Sequence, residues 1–141
     1  MIAASFVLSA AAVAAATTNP SYDVACPSEL AASAVVVAHA PVGWTGFVPT
    51  ALPLQDVGVS TGPVEDRATL LGVYRKLPRG AFSVRYGELK EWQERERWIL
   101  CKYGEGGHVL IAKQLPPEIN ECTTTFTPDR FGGKTIAVSC R

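Results

Sequence analysis

The sequence predicts a mainly β protein, a small antiparallel sheet or sandwich of about six or seven strands with at most one short helix, stapled by two disulfides. Three observations carry this expectation. Residues 97–103 and 108–115, and again 122–127 and 134–140, are apolar or alternating runs separated by turn-rich stretches, as in hairpins. Four cysteines, an even number, stand at positions 26, 101, 122 and 140. Ahead of them lies an apolar leader, which places those thiols in an oxidising space.

The leader is residues 2–16, an uncharged run ending in Ala14, Ala15 and Ala16, small residues that suit a signal peptidase. At roughly 15 apolar residues it falls short of the ~20 that span a bilayer. We read 1–16 as a signal peptide cleaved between 16 and 25, and 17–141 as a single β-rich domain. Asp23 lies close before Cys26 and the apolar run ends ten residues earlier, which argues against a lipid on Cys26. Hydrophobic residues at 48% and charged residues at 18% suit a globular chain. Thirteen basic residues balance thirteen acidic ones, so no overall field favours nucleic acid.

In chain order, residues 17–25 are a polar lead-in that Cys26 ties down. Residues 33–40 contain Val35, Val36 and Val37, a β-branched run that predicts a strand ended by Pro41. The turn that follows carries Trp44, expected in the core. Residues 52–61 alternate in part, and the break at Gln55 and Asp56 predicts a bulge or two short strands. Residues 62–71 are the best helix candidate, because Pro63, Glu65 and Asp66 lie where a helix start favours them and Gly72 ends it. Phe82, Val84 and Tyr86 share one face of a strand.

Residues 90–97 read as a solvated connection, although Lys90 with Glu94 and Glu91 with Arg95 have helical spacing. That reading lets 82–87 pair with 97–103 as a hairpin. Leu115, Pro116 and Pro117 stop the next strand. In the last two runs Cys122, Thr124 and Phe126 alternate with threonines, and Ile136, Val138 and Cys140 with Thr135 and Ala137. Pairing them around 128–133 sets Cys122 opposite Cys140, which leaves Cys26 for Cys101.

No residue pattern carries catalysis. There is no GxSxG elbow, no CxxC metal spacing and no cofactor-binding loop. His39 lies at a strand end and His108 at a hairpin turn, both expected on the surface. Glu88, Glu91, Glu94 and Glu96 are interleaved with Lys90, Arg95 and Arg97, so a solvated charged face explains them better than a pair of catalytic carboxylates. Trp44 and Trp92, both in connections, are the candidates for a partner contact.

Cys26-Pro27, Gly43-Trp44, the run from Gly58 to Glu65, Trp98-Ile99-Leu100-Cys101-Lys102-Tyr103, Leu115-Pro116, Cys122 and Ile136-Ala137-Val138-Ser139-Cys140 resemble a family of small exported proteins of Gram-negative bacteria. The family carries the label of a Salmonella Typhi hypothetical protein. Its four cysteines and W-x-x-C-x-Y motif are matched here, while the charged 90–97 segment is longer. The resemblance implies a periplasmic location, a β-rich fold and no catalytic residue. The functional expectation is an exported, periplasmic, non-catalytic binding or inhibitory protein, immunity-like or an inhibitor of an envelope hydrolase, with a protein partner, no cofactor and no membrane segment once the leader is removed. The alternatives are an enzyme acting on envelope polymers through the 88–96 segment and a structural component of the envelope.

Overall fold

The strand Arg97–Tyr103 is buried on both faces, and the rest of the chain is layered around it. The computed structural model describes residues 21–141 apart from 67 and 93, so the predicted leader lies outside the described residues. Nine strands are described: β1 (Tyr22–Asp23), β2 (Glu29–Leu30), β3 (Leu52–Thr61), β4 (Val73–Lys76), β5 (Phe82–Tyr86), β6 (Arg97–Tyr103), β7 (Val109–Gln114), β8 (Cys122–Pro128) and β9 (Lys134–Cys140). They form two antiparallel sheets, ordered β1-β9-β8-β5-β4 and β2-β3-β6-β7. β1 and β2 are two residues each, too short to leave a pattern in the sequence.

The inner faces follow the period of two. Val57 and Val59 of β3 and Ile99, Cys101 and Tyr103 of β6 pack against Tyr86, Cys122 and Cys140 of the other sheet, with Val24, Leu89, Leu115 and Ile119 closing the ends. Each fully buried aliphatic side chain stabilises the fold by about 1.5–3 kcal/mol. Both expected disulfides lie in this core, Cys26–Cys101 and Cys122–Cys140, the second between directly opposed residues. The Tyr103 hydroxyl donates to the carbonyl of Pro27 at 2.9 Å, and burial pushes its pKa up.

The 97–115 hairpin and the 122–140 hairpin are as expected, and β3 carries its bulge between Leu54 and Asp56. Other expectations are corrected. Residues 33–40 are not a strand: Ala32–Ala34 is a 3₁₀ turn, and Val36 and Val37 are exposed because no neighbouring strand is there to pair with them. The helix over 62–71 shrinks to the 3₁₀ turn Val64–Asp66. The chain then folds back over β3, where Thr61 N–H donates to Ala68 and Leu70 N–H to Val59. Backbone bonding to β3 replaces the helical ladder.

The hairpin expected between 82–87 and 97–103 does not form. β5 lies between β4 and β8 in one sheet and β6 between β3 and β7 in the other, so residues 88–96 cross between the layers. Core-facing Leu89, wholly buried, pulls this connection inward, while its charged residues stay exposed.

Candidate partner-binding surface

Between Leu30 and Asp56 the chain carries no Asp, Glu, Lys or Arg. Most of this stretch is the loop 31–51, and its root is rigid. Leu30 pairs with Leu52 and Glu29 with Pro53, Leu54 N–H donates to Ser28, and Cys26 is bonded to Cys101 in the core. Beyond that root the loop is apolar and open to solvent. Trp44 is 75% exposed and Phe47 74%, and Val36 and Val42 are exposed beside them in the sequence. The expectation that Trp44 is buried is therefore corrected: its N–H closes a turn on Pro41, which leaves the indole outside the sandwich.

The loop has internal order. A side chain at Gly46 would collide with Val37, so the two arms touch there, and only glycine permits that approach. Large apolar groups left in water are informative when they cluster, because they mark contact surfaces.

The β8–β9 connection reaches the same end of the sandwich. Asp129 Oδ1 accepts the N–H groups of Phe131 (2.7 Å) and Gly133 (2.8 Å), which fixes a tight loop with Phe131 exposed at its tip and the Arg130 guanidinium 5.0 Å from its ring. Between this loop and the root of 31–51 runs an open groove of about 520 Å³, lined by Ser28, Pro53 and Leu54 on one side and Asp129, Gly132 and Lys134 on the other.

Trp92 belongs to the opposite end. It closes the 3₁₀ turn Leu89–Trp92, just before β6, whose first residue Arg97 pairs with Thr61. The anchor points of the two tryptophans are thus separated by the length of β3, roughly 30 Å at ~3.3 Å per residue. The structure does not bring Trp44 and Trp92 onto one contact surface. Trp92 is 40% exposed among charged neighbours Glu91, Glu94 and Arg95.

Glu88, Glu91, Glu94 and Glu96 are all exposed, and none of their side chains makes an ion pair or hydrogen bond among the described residues. Glu91 and Glu94 line an open hollow with Trp92 and Arg95, and Glu94 and Glu96 line a second with Arg95, Gln114 and Leu115, so carboxylates and guanidinium groups are interleaved there. His39 and His108 are exposed as expected. Glu121, away from this segment, accepts from Arg85 and Arg141, each at 2.8 Å. The Arg85 hydrogen bond holds its pKa below the usual range, opposed by desolvation and assisted by the charge of Arg141.

Arg97, expected with Lys90 and Arg95 on a solvated charged face, is instead buried. Its signal was available: Arg97 is in phase with Ile99, Cys101 and Tyr103, on the core face of β6. No group of three or more potential metal ligands occurs among the described residues, and no described helix is long and apolar enough to cross a membrane.

A disulfide-stapled sandwich that projects an uncharged apolar loop from one end presents a surface suited to contact with another protein. Residues 49–141 match the model of the type VI secretion system Tli immunity protein family, and the chain belongs to that family. No curated protein and no solved structure gives a significant match. The likeness to the Salmonella Typhi hypothetical-protein family remains a resemblance of sequence pattern that the match does not carry.

Proposed function

We propose that this protein protects its cell by binding and blocking a type VI effector in the periplasm, with loop 31–51 as the principal contact and Trp44 and Phe47 as its anchors. The observation that carries the reading is the exposure of these two aromatic side chains on an uncharged loop held at its root by the Cys26–Cys101 disulfide. Aromatic anchors on a rigid base lose little entropy on docking, which is how a small surface yields tight binding. The family match begins at residue 49, so Trp44 and Phe47 precede it. A common frame with a contact element outside it suits protection against one particular effector.

The periplasmic assignment rests on the leader-like residues 2–16 and on two disulfides, which persist in oxidising compartments. Trp92 lies at the other end and makes no part of the proposed contact.

The test is a killing assay between sister strains, in which attackers armed with type VI secretion meet targets lacking this gene. Targets given back the wild-type protein survive, and targets given Trp44→Ala with Phe47→Ala, at equal periplasmic level, are killed. Equal survival with both versions would remove the loop from the account; killing despite the wild-type protein would remove the immunity reading.

A further inference from the structure

Each sheet has two edge strands. Those of the five-stranded sheet are β1, two residues long, and β4, whose four residues include Arg75 and Lys76. Those of the four-stranded sheet are β2, again two residues, and β7. Shortness and basic side chains are what keep natural edges from pairing with another chain. β7 lacks both protections over most of its length. It runs six residues, is paired to β6 throughout on one side, and has no described strand on the other. Leu110 and Ile111 on it are 37% and 38% exposed. Its one charge, Lys113, is drawn over the ring of Tyr22 at 5.1 Å.

An edge of free N–H and C=O groups is satisfied by another extended backbone. We infer that β7 pairs antiparallel with β7 of a second copy of this chain, about a twofold axis at Ile111. A twofold normal to the sheet keeps each face on its own side, so opposed residues must share a face. Centred on Ile111, that condition sets Ile111 against its own copy, Leu110 against Ala112 and Val109 against Lys113. No like charges face each other, and neither Gly nor Pro interrupts the ladder.

The product is one eight-stranded sheet made of two four-stranded ones. Because the pairing is antiparallel, the two apolar loops 31–51 point to opposite ends and stay free. Two six-residue strands bury less than the roughly 1,000 Å² of a stable interface, so the dimer is weak and depends on concentration. This inference does not depend on the immunity reading.

The test combines sedimentation velocity on the protein as isolated from cells with oxidative cross-linking of three single substitutions, Ile111→Cys, Leu110→Cys and Ala112→Cys. The expected results are a mass that rises toward twice the monomer from low to high micromolar concentration and a covalent dimer from I111C. Opposed Cα atoms about 4.5–5.5 Å apart lie within disulfide range. L110C and A112C alone stay monomeric on oxidation, and an equimolar mixture of the two cross-links. A single monomer mass at every concentration would overturn the inference and leave the edge to a strand of some other protein. Equal cross-linking of all three variants, or a dimer that I111C fails to trap, would overturn it as well.

Discussion

Arg97 donates from Nη1 to the carbonyl of Leu89 at 2.8 Å, from a side chain that is only 4% exposed. The same nitrogen reaches the carbonyl of Ile119 at 3.1 Å, and Nη2 that of Pro116 at 3.3 Å. A buried cation is tolerated where its donors are met, and the planar guanidinium fork meets three carbonyls from two connections at once. Arg97 thereby fastens the crossing 88–96 to the segment that leads into β8. Replacing it with Met takes this donor from the carbonyls of Leu89 and Ile119, while that of Pro116 keeps the Ile119 N–H at 3.2 Å, and is expected to cost about 3 kcal/mol in urea denaturation. Arg97→Lys recovers only part of this. A Met variant as stable as wild type would contradict the role.

The two disulfides differ in loop length. Breaking Cys122–Cys140, 18 residues apart, by a double Ser substitution should cost about 3 kcal/mol, and breaking Cys26–Cys101, 75 apart, about 4 kcal/mol. Only the second also frees the root of loop 31–51, so only it should expose that loop to limited proteolysis under folding conditions. Proteolysis confined to the 122–140 variant would reverse this assignment.

Glu121 makes stability depend on acid. Its folded pKa lies below the ordinary 4.5, so its contribution is complete above about pH 5 and is lost as pH falls through the depressed value. Arg85 and Arg141 are largely exposed, which keeps the contribution near 0.2–1 kcal/mol. The stability gap between wild type and Glu121→Gln should be constant from pH 5 to 7 and should close on acidification. A gap that widened toward low pH would have the wrong sign.

Thr124 is fully buried in β8, and its Oγ1 has no hydrogen-bond partner among the described residues. Thr124→Val keeps the shape and removes the unmet hydroxyl, so it should stabilise by about 1 kcal/mol in thermal or urea unfolding. A loss of stability would mean that the hydroxyl is satisfied.

The parts of this fold that were legible in the sequence are those written in local alternation. Cys122, Thr124 and Phe126 against Ile136, Val138 and Cys140 define a register across one loop, and the disulfide pairing follows from it. The parts that were not legible depend on distant partners. Val35–Val37 have strand propensity but no strand beside them, and β5 and β6, adjacent in sequence, belong to different sheets. β4 carries only exposed residues and gave no signal.

At the candidate site the aromatic residues were visible from their position in connections, but their fates were not. Trp44 has apolar neighbours that would equally suit a core, and only the fold shows that the loop stands outside it. The separation of Trp44 from Trp92 follows from strand direction, which composition and spacing do not encode.

The central claim is that loop 31–51 seizes the effector while the sandwich holds it in place. Calorimetric titration of the purified cognate effector with wild type, Trp44→Ala and Trp92→Ala, all with matching melting temperatures, tests this most directly. Docking through loop 31–51 predicts a loss of about 30-fold or more in affinity for W44A, corresponding to about 2 kcal/mol, and no change beyond about 2-fold for W92A. Undiminished binding by W44A together with a large loss for W92A would contradict it.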